Sequence, residues 1–401
     1  LRHLDLAAPE PRVTQHRIAA RAALIRMAQF TPVPREDVER AFAEGQSLAA
    51  EAHDVAGAAE MTISYGNEML HRADADAAVQ LHAEAVHYCL THGQTDLIKR
   101  FRMAILLSHF SAGQPREGIA LVDSADGGAW RREPIGEDNF VSRAFHSLLL
   151  AWMGDLGLAR QELQAALDYA QAQQRQSSWM HSFFVDLAWQ GGETGAGLQA
   201  VLHHAQQGVV RAQQGGGPYF QAVAGRALGM ALCLLGRTDE AIAVLEPLTP
   251  ISAPQGLVPQ FEANHLATLA RAYHDAGRLD DAARCAERAI VSAEASGSRV
   301  WEIHSWLIWL QLPVQECART KAAQGLQRLK QLIDVSGVLG FMPWWQLAQA
   351  HWSAAPAARD EWLREAAAGF RRIGAAGLPA AVGNPPPEQA LPDPARLLNR
   401  A

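Results

Sequence analysis

The 401-residue sequence contains few cysteines and few lysines. Its four cysteines, Cys89, Cys233, Cys285 and Cys317, stand far apart, and none forms a Cys-x-x-Cys motif. This spacing fits buried, reduced thiols in a cytoplasmic protein better than disulfides. Only three residues are lysine, the net charge is −7 and the pI is about 6.2, which argues against nucleic-acid binding.

Long hydrophobic runs are also missing. No stretch of 18 apolar residues occurs, so the sequence predicts no membrane-spanning helix. The N-terminus shows neither a signal-peptide pattern nor an initiator methionine, and we expect the chain to be a fragment of a longer protein. Runs of alternating Val, Ile and Thr are nearly absent, whereas strong helix formers dominate. An all-α fold is therefore predicted.

The motifs of common catalytic sites are absent from the sequence. There is no phosphate-binding Gly-x4-Gly-Lys-Ser/Thr loop and no Gly-x-Ser-x-Gly nucleophile elbow. The sixteen histidines include no pair at the i, i+3 or i, i+4 spacing with which one helix presents two metal ligands. Glu68/His71 and Glu262/His265 are explained more simply as paired side chains on a helix. We predict no enzymatic activity, no metal and no cofactor.

The sequence does contain a repeat. In Gly236-Arg-Thr-Asp-Glu-Ala241 and in Gly277-Arg-Leu-Asp-Asp-Ala282, a glycine ends one helical pattern and a small residue five positions later opens the next. The two glycines lie 41 residues apart. The same pattern recurs less cleanly at Ala73, Gly113, Gly154 and Gly192. A period of about 40 residues is typical of stacked helix pairs.

The predicted helix pairs cover residues 14–375, and each pair consists of a helix A, a short turn and a helix B. The pairs are 14–54 with its second helix from Arg35, 56–71 with 74–92, 95–112 with 115–125, 138–153 with 156–174, 176–190 with 195–213, 219–235 with 238–248, 260–276 with 279–296, an irregular pair from Arg299 that Pro313 interrupts, and 343–355 with 357–374. Residues 1–13 are predicted to be a lead-in. The Pro-rich segment 376–401 is expected to be poorly ordered.

These pairs resemble the tetratricopeptide (TPR) repeat. That family places a small residue in helix A, a large apolar residue three positions later, a glycine-like turn and an alanine at the helix B contact. The seventh pair matches at Ala270, Tyr273, Gly277 and Ala282, whereas the fourth carries Ser147 at the small position. The resemblance implies a right-handed superhelical solenoid of eight or nine helix-turn-helix repeats.

The period of about 40 residues is longer than the usual TPR length of about 34. In this respect the chain is similar to the sensor arms of bacterial signal-transduction ATPases, such as the MalT-like transcription activators. The resemblance implies a non-catalytic module that forms the C-terminal regulatory arm of a larger signalling or transcription-regulating protein. Its partner would be a protein or peptide segment, or a small-molecule inducer, in the concave groove.

The resemblance also assigns a groove face to helix A, formed by its second, fifth, ninth and twelfth positions. The candidate binding residues on this face are Asn67, Arg100, Phe110, Trp179, Asp186, Trp189, Arg226, Asn264, Arg271 and His274. Tryptophan, arginine and amide side chains together suit an amphipathic peptide or a small molecule with polar and apolar edges. Packing within a stack of long helices is the alternative explanation for the tryptophans.

Two other functions remain open at this stage. The first is a stand-alone protein–protein interaction scaffold without a ligand switch. The second is an enzyme with its site in an irregular insertion, 126–138 or 247–259, although these loops hold few paired acid and base groups. A sensor is expected to change its curvature on binding, which shifts the population of an inhibited state.

Overall fold

The computed structural model describes residues 10–29, 31, 33–175, 177–193, 196–215, 217–253, 256, 258–312 and 318–375. No strand occurs within these ranges, and the all-α prediction is confirmed. The predicted tail 376–401, Pro313 and most of the lead-in lie outside the described residues. Within the same ranges, no helix is both long enough and apolar enough to cross a bilayer.

The described residues form eighteen helices of eight residues or more. They are α1 (Pro11–Ala28), α2 (Arg35–Glu51), α3 (Val55–His71), α4 (Ala75–Thr91), α5 (Thr95–Ala112), α6 (Pro115–Asp123), α7 (Phe140–Met153), α8 (Leu156–Ala172), α9 (Ser178–Gly191), α10 (Ala196–Gly215), α11 (Pro218–Leu234), α12 (Thr238–Leu245), α13 (Glu262–Asp275), α14 (Leu279–Ala295), α15 (Arg299–Trp309), α16 (Arg319–Ser336), α17 (Met342–Trp352) and α18 (Pro356–Arg372). Shorter helical turns occur at Ala129–Arg131, Glu246–Leu248, Thr249–Ser252, Pro259–Phe261 and Leu339–Phe341.

One helix start of the first pair coincides with the predicted position, and the other differs from it. Helix α2 begins at Arg35, directly after the Pro34 that cannot continue the preceding helix. Helix α1 begins three residues before residue 14, the predicted start of the first pair. Its first residue is Pro11, whose fixed φ angle suits the first position of a helix.

Residues in the left-handed conformation end helices at the turns within the pairs. Gly236 and Gly277 have φ angles of 69° and 74°, which glycine adopts without steric cost. In the second pair the same place is taken by Ala73, with a φ angle of 62°. An alanine in this conformation is strained because its Cβ approaches the backbone.

Aspartates begin several of the helices that follow these turns. The side chains of Asp54, Asp74 and Asp155 each accept a hydrogen bond from the backbone N–H three residues later, at 2.9 to 3.0 Å. Each bond satisfies one of the N–H groups that a helix start leaves without an intrahelical partner. A left-handed residue and an aspartate cap therefore define the turns between helix A and helix B at Asp74 and Asp155, and the turn between the first and second pairs at Asp54.

The chain divides into two compact units, which are described separately. The first unit comprises residues 1–112 and 116–134, and the second comprises residues 113–115 and 135–401. In the first unit, the A helices α1, α3 and α5 pack successively against one another. Ile18 and Ile25 of α1 are buried with Val38 of α2 and Met61 of α3 in one core cluster.

In the second unit the A helices are α7, α9, α11, α13, α15 and α17. They are buried on almost all sides; in α13, every residue from Glu262 to Tyr273 is buried. The B helices bury a single stripe, as α14 does with four alanines and Ile290. Small residues permit the close contacts, because a Cβ on Gly229 would lie 2.5 Å from the Leu245 side chain.

Candidate functional site

The A helices of the first unit expose a continuous set of side chains, which we call the A-helix face. It consists of Arg26 of α1, Glu60 and Asn67 of α3, and Arg100, Met103 and Leu107 of α5. Within α3 and within α5, the face residues are separated by three, four or seven positions. This spacing places them on one side of each helix.

Three charged side chains connect the successive A helices across this face. The Glu60 carboxylate accepts a hydrogen bond from Arg26 Nη1 at 2.5 Å and one from Arg100 Nη2 at 3.2 Å. The side chains of Arg26, Glu60 and Arg100 are 47%, 30% and 61% exposed. In the described part of the chain, no further hydrogen bond or ion pair engages either guanidinium. Most of their N–H donors therefore face solvent.

The side-chain oxygen of Asn67, within this face, does not accept a hydrogen bond from any residue that the structure describes. Its side chain is half-buried, and its Oδ1 atom is buried with no hydrogen-bond partner among the described residues. Its backbone carbonyl accepts a hydrogen bond from His71 Nδ1 at 2.8 Å. Because an unpaired buried amide oxygen costs about 1–3 kcal/mol, a water molecule or a bound group that donates to it would stabilise this arrangement.

On the A helices of the second unit, aromatic side chains pack against one another and occupy the corresponding side. The Trp189 ring stacks on His304 at 4.2 Å and on Trp344 at 5.1 Å between centroids, and it is only 3% exposed. Trp344 Nε1 donates to the Gln190 carbonyl at 3.2 Å. Burial, with a contribution from the positive charge of Arg226, lowers the pKa of His304 to about 3 and keeps the imidazole neutral.

Asp186 and Arg226, both predicted groove residues, pair with each other in the second unit. Arg226 donates to the two oxygens of Asp186 at 2.6 and 3.1 Å, and the side chains are 8% and 14% exposed. The two residues lie 40 positions apart, on α9 and α11. The ion pair therefore joins equivalent sides of neighbouring A helices with the bidentate geometry that favours such pairs.

The other predicted residues of the second unit have partners or are buried. Arg271 Nε donates to both oxygens of Asp275 at 3.0 and 2.8 Å, and His274 Nδ1 lies 3.1 Å from the same carboxylate. Asn264 is buried. Trp179 is half-buried and stacks on Phe145 at 5.2 Å.

The predicted residues of the first unit are more accessible. Arg100 is exposed and Asn67 is half-buried, whereas Phe110 is buried. The structure thus brings Asn67 and Arg100 to one surface and Asp186 and Arg226 to one ion pair. Asn67, Arg100 and Phe110 belong to the first unit, and the other seven predicted residues belong to the second. Their role in binding stays a prediction.

Sequence reasoning did not place Arg26 on this face. The first pair matches the TPR pattern poorly, so the face positions could not be transferred to α1. A signal was nevertheless present, because Arg26, Glu60 and Arg100 are charges of alternating sign at intervals of 34 and 40 residues. Charges that recur with the repeat period are expected to meet on neighbouring A helices.

The second irregular insertion covers a small cavity between α11 and α13. The cavity has a volume of about 20 Å³, enough for one water molecule, and Arg226, Asn264 and His265 are among its lining residues. His265 Nε2 lies 3.1 Å from Thr249 Oγ1, and burial lowers the pKa of His265 to about 4. No group of three His, Cys, Asp or Glu side chains able to hold a metal occurs in the described ranges.

Comparison with known proteins agrees with this architecture. Among solved structures, the chain is similar to a Rap protein complexed with competence and sporulation factor, with a TM-score of 0.53. The match covers 93% of this chain and 96% of that chain at 13% sequence identity. The fold is TPR-like. At this identity the TPR-like fold is shared, but the likeness does not identify a ligand. No protein-family model matches the sequence, and no curated protein matches it.

Proposed function

We propose that this chain is a non-catalytic binding module and that the A-helix face of the first unit holds a protein or peptide segment. The observation that carries this proposal is accessibility. Arg100 and Met103 are exposed on the first unit, whereas Trp189 and Trp344 fill the A-helix side of the second. A binding surface needs side chains that a partner can reach.

The chemistry of the face suits a polypeptide partner. The exposed Met103 and the accessible part of Leu107, which is partly buried against the core of the first unit, offer apolar contact, and methionine adapts its shape to different partners. The guanidinium donors of Arg26 and Arg100 can hydrogen-bond a peptide backbone, as polar groups in peptide grooves do. The similar Rap structure, which is a complex with competence and sporulation factor, supports a binding role for a fold of this kind.

The test is selection of peptides from a displayed library on the full chain, followed by affinity measurements on variants. Met103→Asp is expected to weaken binding of the selected peptides at least about tenfold, because it places a charge against apolar side chains. The control is Val291→Asp, which changes a more exposed apolar residue on α14. Selected peptides that bind both variants as tightly as the original chain would contradict the proposed surface.

We further propose, from the resemblance in sequence, that the module acts as the regulatory arm of a larger bacterial signalling or transcription-regulating ATPase. The alternative is a scaffold without a switched state. Small-angle scattering with and without a selected peptide separates the two. A change in dimensions on binding supports the sensor, and unchanged dimensions at saturation support the scaffold.

A further inference from the structure

The charges of the A-helix face indicate which segments it accepts. We infer that the first unit selects an acidic segment and that Glu60 limits the affinity for it. This inference rests on the proposed function, since it concerns the same face. It adds the chemical class of the partner and names the residue that tunes its binding.

The geometry leaves positive charge available to a partner. One carboxylate lies between two guanidinium groups, so Arg26, Glu60 and Arg100 together carry a net charge of one positive unit. In the described chain each guanidinium gives a single hydrogen bond to Glu60 and has no second acidic partner. An arginine has five N–H donors in a planar arrangement that matches a carboxylate. A partner carboxylate can therefore bind at the free edge of either guanidinium.

A basic segment does not have an equivalent place to bind. Its cation would have to compete for Glu60, which already accepts hydrogen bonds from two arginines and is the least exposed of the three charges. The other charged residues of α5 are paired as well, because Lys99 donates to Asp96 at 2.9 Å and the buried Arg102 lies 3.6 Å from Asp126. The balance of accessible donors thus favours an anionic partner.

The apolar residues add a second requirement. Met103 follows Arg100 by three positions, about one helical turn, and Leu107 follows Met103 by four. A segment that places a carboxylate at Arg100 therefore brings its next residues over apolar side chains. The partner we infer is an acidic segment that also carries apolar residues.

The experiment compares synthetic peptides of equal length and equal apolar content that are acidic, neutral or basic. All are amidated at the C-terminus, so that acidic side chains provide their only carboxylates. Binding to the full chain is measured by fluorescence anisotropy for the original protein and for two variants, Glu60→Gln and Arg100→Gln. The matched controls are Glu39→Gln and Arg40→Gln on α2, which alter exposed members of ion pairs on a B helix. Circular dichroism verifies that each variant is folded.

We expect the acidic peptide to bind more tightly than the neutral and basic peptides. Its affinity should fall as the salt concentration is raised. Glu60→Gln should strengthen its binding about three- to tenfold, and Arg100→Gln should weaken it by a similar factor, because each changes one charge beside the partner carboxylate. Equal binding of the three peptides, or weaker acidic binding in Glu60→Gln, would overturn the charge assignment. If the basic or neutral peptide binds tightly and Met103→Asp abolishes that binding, the charge assignment is overturned but the binding face is retained. If no peptide of any charge binds, the proposed function itself fails.

Discussion

The ion pair between Asp186 and Arg226 can serve stability or ligand binding, and the two roles predict different effects of a substitution on the free energy of unfolding and on peptide binding. Arg226→Met removes hydrogen bonds of 2.6 and 3.1 Å and leaves the mostly buried Asp186 carboxylate without its counter-ion. Removing one partner of a buried pair costs about 3–5 kcal/mol of the free energy of unfolding. Because Asp186 retains 14% exposure, we expect a loss near the lower end, about 3 kcal/mol.

Urea unfolding followed by circular dichroism measures this loss. The double variant Asp186→Leu/Arg226→Met should recover most of it, because two packed apolar side chains need no charge partner. Arg284→Met, which changes an exposed arginine on α14, is the control and should shift stability by less than about 0.5 kcal/mol. The structural role is refuted if Arg226→Met has the same free energy of unfolding as the original chain. If that variant also loses peptide binding, the result supports a role of Arg226 in the binding groove instead.

Three further predictions concern stability. Ala73→Gly should raise the free energy of unfolding by about 0.5–1 kcal/mol, because it relieves the left-handed alanine; a lower urea midpoint would contradict this. Gly340→Ala should lower the free energy of unfolding by about 1–3 kcal/mol, since the new Cβ would lie 2.4 Å from the Ala151 carbonyl oxygen. An unchanged urea midpoint would show that the backbone moves to accommodate the methyl group. His82 is fully buried and its folded pKa is about 4, below the unfolded value of about 6.5, so its contribution to stability is present above about pH 6.5 and is lost as the pH falls. The loss between pH 7 and pH 5 should be about 2 kcal/mol, and His82→Gln should flatten the pH dependence of the midpoint; an equal slope in both proteins would contradict the assignment.

The helices could be predicted from the sequence because their ends are determined locally. Gly236 and Gly277 mark turns that require a left-handed residue, and Pro34 cannot continue the helix that precedes it. Period and spacing were sufficient to assign helix A and helix B in eight of the nine pairs, whereas helix B of the irregular eighth pair, α16, was not assigned. Local signals of this kind do not depend on which residues meet in three dimensions.

The environment of the candidate residues could not be predicted in the same way. A repeat pattern describes contacts between neighbouring pairs, whereas Trp344 contacts Gln190 across 154 positions of the chain. Nothing in the spacing of the tryptophans indicates this contact, so Trp189 was assigned to a groove face and is found in an aromatic cluster. Arg26 was not assigned because its helix lacks the family pattern.

The hydrogen bond from Trp344 to Gln190 has a consequence for how the second unit unfolds. In an open array of repeats, the end repeats fray first and the loss spreads inward step by step. Here α17, close to the end of the described chain, is anchored on α9, so it cannot detach without exposing Trp189 and His304 as well. Detachment of α17 is therefore opposed, and α9 and α17 are expected to exchange their amide hydrogens with similar protection.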